Sequence, residues 1–204
     1  MPEKPEVRPT PLNLTVLGIL AGGPLHPYAM QSRMKFWGKD KVVDVSQRAN
    51  LYKAIERLRS AGLISVHKTE RDQRFPERTV YSLTDEGLRV GKEWLTEMLA
   101  TPRNEFPEFP AALSFVFGLL PEEALGALER RAESLRHSVS ALDRELTDES
   151  GPPRLFLLET EYLRDVTRAE LAWVERVVDD LKSGRLTWSM EELTEVARHF
   201  PPPD

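Results

Sequence analysis

Residues 46 to 83 read SQRANLYKAIERLRSAGLISVHKTERDQRFPERTVYSL, and this stretch decides the fold. Its first half predicts a helix. Ser46 suits the N-cap position, because its hydroxyl can accept a hydrogen bond from a free backbone N–H of the first turn. Gly62 suits the end of the helix, since glycine adopts the left-handed conformation without a Cβ penalty. Apolar side chains recur at spacings of four and three, which places them on one buried face: Leu51, Ile55 and Leu58.

A different face of this helix is polar and cationic. It carries Ser46, Asn50, Lys53 and Arg57, with Gln47 and Arg48 in the first turn. In a DNA major groove, Arg and Lys donate to guanine, Asn bonds adenine on two edges, and Ser serves either. The pattern therefore favours a helix whose side chains point toward base edges or adjacent phosphates. A solvated helix face has the same composition, so these residues alone leave both interpretations open.

The second half of the stretch predicts a cationic β-hairpin. Residues 63–66 and 79–83 are short and β-prone, and Pro76 fixes part of the turn predicted between them. The basic side chains of this segment are His67, Lys68, Arg71, Arg74 and Arg78. A basic hairpin directly after a capped, polar-faced helix is typical of a winged helix-turn-helix, in which the wing neutralises phosphates beside the groove.

The same segment resembles the phenolic acid decarboxylase regulator (PadR) family of bacterial repressors. The resemblance rests on Leu51-Tyr52, on residues 55–58, on residues 62–64 and on residues 81–87, the last of which is similar to the family's second wing strand leading into its fourth helix. The resemblance implies that the Tyr52 hydroxyl meets a phosphate. It also implies a response to small aromatic or amphipathic compounds. The wing tip departs from the family, because Arg74-Phe75-Pro76-Glu77-Arg78 stands where a Gly-Pro-rich basic tip is common.

Composition limits the other functions. There is no Cys, and the four His are scattered, so thiolate chemistry is excluded and no metal-ligand spacing is present. No nucleophile elbow or glycine-rich phosphate loop appears. We therefore expect neither an enzyme nor a cofactor. The absence of a signal peptide and of a membrane-spanning run indicates the cytoplasm. Residues 1–83 hold 14 Lys and Arg against 8 Asp and Glu, whereas the remainder holds 14 against 25, which suits a nucleic-acid-binding part joined to an acidic part.

The predicted organisation is mainly α-helical. Residues 1–11, rich in proline, predict a flexible arm, and residues 12–100 predict the winged helix-turn-helix with a two-stranded wing. A proline-containing hinge over 101–110 leads to a C-terminal helical hairpin over 111–204. In the first helix of the helix-turn-helix, the side chains predicted to be buried are Tyr28, Met30, Met34 and Trp37. Residues 111–120 predict a short buried helix, because they are almost entirely apolar.

Two long amphipathic helices make up the C-terminal part. The first seam is Leu125, Leu128, Ala132, Leu135, Val139, Leu142 and Leu146, and the second is Leu155, Leu158, Tyr162, Val166, Ala169, Trp173, Val177 and Leu181. An intramolecular hairpin alone is one interpretation. We favour a homodimer, because two-fold symmetry would also present two recognition helices to a pseudo-palindromic site on double-stranded DNA. The C-terminal part resembles the PadR subfamily with extended dimerisation regions.

Two functional hypotheses follow. The favoured one is a homodimeric repressor that binds DNA and responds to an effector. Aromatic side chains suited to lining an effector cavity at a dimer interface are Trp37, Trp94, Phe115, Phe117 and Trp173, although core packing suits each of them as well. The alternative is a winged-helix protein–protein adaptor without DNA binding, motivated by the acidic second half and by Glu77 in the wing.

Overall fold

The computed structural model describes residues 7–44, 47–72 and 75–199; within these ranges the side chains at 70–72, 75–77, 196 and 197 are not considered. The chain divides into two compact units, Met1–Asn104 and Glu105–Asp204. The described parts are mainly helical with one two-stranded antiparallel sheet. The mainly α-helical fold class with a two-stranded wing, predicted from the sequence, is thus confirmed.

The first unit contains four helices and the sheet. The helices are α1 (Pro11–Leu20), α2 (Pro27–Phe36), α3 (Arg48–Ser60) and α4 (Asp85–Ala100), and a short 3-10 turn over Lys39–Lys41 lies between α2 and α3. Thr10 caps α1 by accepting a hydrogen bond from the Asn13 N–H at 3.2 Å. His26 caps α2 in the same manner, since its Nδ1 accepts from the Ala29 N–H at 3.1 Å.

One hydrophobic core joins α1, α2, α3 and the start of the sheet. Its buried members include Val16, Leu20, Met30, Met34, Leu51, Ile55, Leu58 and Ile64. The three apolar residues predicted for α3 are among them. The side chains of Tyr28 and Trp37, predicted to be buried in α2, are instead 61% and 47% exposed. A ten-residue helix has room for only one narrow buried stripe, and Met30 and Met34 fill it.

The wing is longer than predicted. Strand β1 runs over Ile64–Asp72 and strand β2 over Phe75–Leu83, with irregular register between Val66 and Lys68 and between Glu70 and Asp72. Pro76 therefore lies in β2 and not in the turn. The outer half of each strand is rich in charged residues and lacks the alternation of apolar residues that predicts a half-buried strand. The sequence pattern therefore did not indicate these residues as strand. Near the wing's base, Tyr81 also pairs with Leu25 through backbone hydrogen bonds of 2.9 and 3.0 Å.

Helix α3, the wing and α4 meet at one junction. Gly62 takes a φ of 75° and ends α3, as predicted, in a Schellman motif with the Leu63 N–H bonded to the Leu58 carbonyl at 2.9 Å. The Thr84 hydroxyl donates to the Gly62 carbonyl at 2.8 Å, and its oxygen accepts from the Gly87 N–H at 3.0 Å. The start of α4 is therefore fixed to the end of α3.

The second unit is helical. It contains α5 (Glu108–Leu113), α6 (Pro121–Leu146), α7 (Leu158–Lys182) and α8 (Met190–His199), with 3-10 turns over Val116–Gly118 and Arg154–Leu157. The predicted buried helix over 111–120 is wrong, since α5 ends at Leu113 and Phe115 is 71% exposed. Apolar content alone does not secure burial when no neighbouring element covers the segment. Among the described helices, none combines the length and apolarity needed to cross a membrane.

Helices α6 and α7 pack as an antiparallel pair. Their buried contacts centre on Leu128, Ala132, Val174 and Val178. Cross-helix ion pairs join Arg131 to Glu170, Arg136 to Glu175, Arg168 to Asp143 and Lys182 to Glu129. Exposed pairs of this kind contribute only about 0–1 kcal/mol each, but together they oppose a shift in register.

Only the C-terminal end of the seam predicted for α7, at Val177 and Leu181, packs against the core that α7 shares with α6. The buried stripe runs through Thr160, Val174 and Val178, and Thr160 donates to Glu145 Oε1 at 3.1 Å. Much of the predicted seam is uncovered: Leu155 is 71% exposed, Leu158 48%, Tyr162 68%, Val166 47% and Trp173 37%. Most of the predicted seam before Val177 is therefore exposed, and the face of α7 that meets α6 also includes Leu171.

The junction at Gly87 yields a stability prediction. A Cβ atom at this position would lie 1.9 Å from the Leu63 carbonyl oxygen, which is backbone and cannot rotate away. We expect Gly87→Ala to lower the free energy of unfolding by at least about 2 kcal/mol, in the range of severe overpacking, as measured by urea denaturation.

Gly91→Ala is the matched control in the same helix. Its Cβ would meet Leu17 Cδ1 at 3.5 Å, an ordinary contact, so the helix preference for alanine should make this variant neutral or up to about 1 kcal/mol more stable. Equal unfolding midpoints for the two variants would contradict the tight junction.

Candidate nucleic-acid interface

Helix α3 exposes its polar side chains to solvent. Its N-cap residue is Gln47, which makes no side-chain capping bond; Ser46, the predicted cap, lies outside the described residues. Gln47 Oε1 instead accepts from Asn50 Nδ2 at 3.3 Å. Arg48, Tyr52 and Lys53 are exposed, with Tyr52 at 56%. The first two turns of α3 thus offer a guanidinium, a phenol and an ammonium group to a partner.

Asn50, Lys53 and Arg57 do not point straight outward. They line one side of a concavity of about 360 Å³, beside the helix's outer face. The rest of the lining comes from the start of α1 and from the segment before α3, namely Thr10, Pro11, Leu12, Val42, Val43 and Asp44. Nothing local in the sequence indicates this groove, because the α1 residues lie about 40 positions from α3.

An ion pair occupies the outward face of α3. Arg59 donates to Glu56 through Nε at 3.0 Å and through Nη2 at 2.6 Å, and Ser60 donates to the same carboxylate at 3.3 Å. The hydrogen bond from Arg59 lowers the pKa of Glu56 from its ordinary value. Glu56 therefore stays anionic at neutral pH on a surface that is otherwise cationic. A carboxylate here would repel phosphate and accept from the cytosine amino group.

The wing carries its cations on both strands. Lys68 in β1 is exposed and Arg78 in β2 is half-buried, and both take part in polar interactions. The backbone of Arg71 lies in β1, whereas Arg74 lies outside the described residues. Three of the four predicted wing cations are thus strand residues, spread along the hairpin and not gathered at its tip.

The five aromatic residues proposed for an effector cavity occupy separate surroundings. In the first unit, Trp94 packs partly buried against the core, and Trp37 lies under the Arg33 guanidinium at 5.5 Å. In the second unit, the Phe115 and Phe117 rings are 6.2 Å apart. Their role in binding an effector stays a prediction.

Trp173 belongs to a cluster that the sequence analysis missed. Its ring meets Phe109 edge-on at 6.0 Å, and the Arg131 guanidinium lies 3.5 Å from the Phe109 ring centroid. Arg131 also pairs with Glu170. The cluster attaches α5 to the α6–α7 pair, and the repeated Phe-Pro pattern over 106–110 was the available signal for it.

The ion pair on α3 can be tested by titration. We expect Arg59→Ala to raise the pKa of Glu56 toward its ordinary value, because the hydrogen bond to the carboxylate is lost. Carboxyl carbon shifts followed by NMR against pH measure this directly. Arg57→Ala removes a neighbouring cation that is not among the bonding partners of Glu56 and serves as the control; an equal rise in both variants would contradict the assigned pair.

Part of the chain is similar to a known protein family. The model of the family described as "Transcriptional regulator PadR-like family" matches residues 16–93, which span the core, α3, the wing and most of α4. A search of curated proteins found no match. The family is described as one of regulators, in keeping with the expectation that the chain is not an enzyme.

Solved structures share the fold over most of the chain. PadR from Bacillus subtilis in complex with operator DNA has a TM-score of 0.67 at 21% identity, covering 83% of this chain and 98% of that one. The same protein with p-coumaric acid gives 0.63 at 19%, covering 87% and 99%. The Vibrio cholerae virulence activator AphA gives 0.59 at 18%, covering 84% and 98%. At such identities the likeness concerns the fold alone. Residues 16–93 are thus similar to the transcriptional regulator PadR-like family.

Proposed function

We propose that this transcriptional regulator is a homodimeric DNA-binding repressor that a small aromatic or amphipathic compound releases from its operator. The observation that carries the proposal is the form of α3. Its apolar face is buried in the core, while Arg48, Tyr52 and Lys53 are exposed beside a basic wing. This is the arrangement by which a winged helix-turn-helix inserts one helix into the major groove.

The DNA contacts divide into two groups. Gln47, Arg48 and Asn50 in the first turn of α3 lie toward base edges, and Ser46 precedes them. The Tyr52 hydroxyl meets a phosphate. The wing side chains Lys68, Arg71, Arg74 and Arg78 hold the backbone, where they set orientation without reading sequence. The operator complex of Bacillus subtilis PadR supports this partner for a chain of the same fold.

A second copy of the chain is the expected partner of α7. The uncovered stripe of Leu158, Tyr162, Val166 and Trp173 repeats at helical spacing, so it forms one continuous apolar surface. Soluble monomers rarely expose such a surface without a partner. A two-fold dimer built on it would present two α3 helices to a pseudo-palindromic operator.

For the effector, we propose a chemical class, a small aromatic or amphipathic compound. Bacillus subtilis PadR has been solved with p-coumaric acid, an aromatic acid, and Phe115, Phe117 and Trp173 offer exposed or half-exposed rings. Repression is proposed over activation on the resemblance to repressors. The fold is also found in the virulence activator AphA, so the direction of regulation needs its own measurement.

Selection of bound duplexes from random DNA tests the proposal. We expect enrichment of a site with two related halves, because two identical recognition helices read it. Arg48→Ala should relax the preference at one position in each half, since a side chain that bonds a base edge is worth about 1–3 kcal/mol of discrimination. Lys92→Ala, an exposed cation on α4, is the control and should select the parent site.

The outcomes separate the alternatives. A protein–protein adaptor would enrich no sequence, which would end the DNA-binding proposal. Repeating the selection with p-coumaric acid tests the effector class, and we expect weaker recovery of the same site. Stronger recovery would instead make the compound a co-repressor or co-activator.

The dimer surface is tested by one added charge. We expect Val166→Glu to give a monomer in sedimentation experiments and to weaken operator binding, because an unpaired carboxylate would be buried in the interface. Ser140→Glu adds the same charge to the outer face of α6, beside the exposed His137 and Arg144, and should remain dimeric. A parent chain that is monomeric at working concentrations, or an unchanged Val166→Glu dimer, would overturn this surface.

A further inference from the structure

The end of the N-terminal arm is attached to the winged-helix core. Val7 packs against the hydrophobic cluster, and the Asn13 side chain, only 2% exposed, donates from Nδ2 to the Arg8 carbonyl at 3.0 Å. Thr10 then caps α1. Residues 7–11, predicted to belong to a flexible arm, are therefore held in place, because a buried amide and an apolar side chain anchor them.

The anchored arm leads directly into the groove beside α3. Thr10, Pro11 and Leu12 form one wall of the concavity, and Asn50, Lys53 and Arg57 form another. The exposed Arg8 side chain stands two residues before that wall. Sequence positions about 40 apart thus line one groove.

The charges of this groove are available to a ligand. Lys53 and Arg57 are exposed, and within the described ranges neither has an ion pair or a side-chain hydrogen bond. Asp44 is the single carboxylate of the lining, and it already takes part in an interaction of its own. The balance is positive, and the apolar part of the wall, Leu12 and Val42, offers no acceptor that would compete with an anion.

The shape of the groove selects among anions. It is open to solvent and not enclosed, whereas sites for small molecules bury most of the ligand surface. A continuous polyanion satisfies several separated cations without being enclosed, and Lys and Arg are the usual partners of backbone phosphates. The groove also flanks α3, and the major groove that receives a recognition helix is bordered by a phosphate backbone.

We propose that this groove is a seat for the phosphodiester backbone of one DNA strand, with Arg8, Lys53 and Arg57 neutralising successive phosphates. The inference rests on the proposed function and extends it in two respects. It adds the anchored end of the N-terminal arm to the DNA-binding surface. It also assigns Lys53 and Arg57 to phosphates and leaves base readout to the first turn of α3.

The test measures operator affinity as a function of salt for full-length variants. Each lost phosphate contact should weaken binding to every duplex by the same factor and reduce the slope of log affinity against log salt by about one. We expect this for Arg8→Ala, Lys53→Ala and Arg57→Ala, with base preference unchanged. Lys92→Ala removes an exposed cation outside the groove lining and should keep the parent slope.

Neutral phosphates locate the contact. A scan of single methylphosphonates along each operator strand replaces one charged phosphate at a time by a neutral group. At the phosphate that Arg8 contacts, this replacement should weaken binding by the parent but should not weaken binding by Arg8→Ala any further, because that variant no longer contacts the phosphate. A neighbouring position should behave in the same way for Arg57→Ala. The thermal unfolding midpoint of each variant should match the parent, since all three side chains are solvent-exposed.

The failures are distinguishable. If the parent binds no duplex selectively, the proposed function fails. If the parent binds selectively but the groove variants keep its slope, as Lys92→Ala does, the phosphate seat is overturned and the proposed function stands. A changed base preference in Arg57→Ala would also overturn the seat, because it would make Arg57 a reader of bases.

Discussion

The hydrogen bonds of Thr84 join the end of α3, the base of the wing and the start of α4. Its hydroxyl joins the Gly62 carbonyl to the first turn of α4, and its N–H donates to the Leu63 carbonyl at 3.2 Å. Strand β1 begins and strand β2 ends next to these hydrogen bonds. The Leu63 carbonyl packs directly against Gly87. The start of β1 and the end of β2 therefore cannot shift without moving α3 or α4. The Thr84 side chain and the backbone carbonyls of Gly62 and Leu63 thereby fix α3, the base of the wing and α4 to one another.

In the second unit, α7 carries apolar side chains on two faces, of which one is buried and one is exposed. Helix α7 packs on α6 through small and β-branched side chains such as Thr160, Val174 and Val178. Leu158, Tyr162 and Val166 remain exposed, and the Trp173 ring meets Phe109 of α5 edge-on. In the proposed homodimer, association would draw on this exposed stripe and folding on the face that meets α6.

Charged and polar side chains differ from one face of α3 to the next. The first turn exposes Arg48 and, next to it, Gln47 and Asn50 linked by a hydrogen bond. One flank carries unpaired cations over the groove. The outward face holds Glu56, whose charge Arg59 balances. A paired carboxylate costs a cationic surface little attraction, while it adds an acceptor for an amino group such as that of cytosine in the major groove.

Local pattern determined much of this protein. The spacing of Leu51, Ile55 and Leu58 and the end of α3 at Gly62 were predictable from sequence, because helix periodicity and helix ends depend on near neighbours. The resemblance to PadR regulators was readable for the same reason. Tertiary structure alone decided which α7 stripe meets α6, that Pro76 lies inside a strand, and that the start of α1 borders α3. Each of these outcomes is a choice between comparably favourable local patterns, and only contacts between distant segments distinguish them.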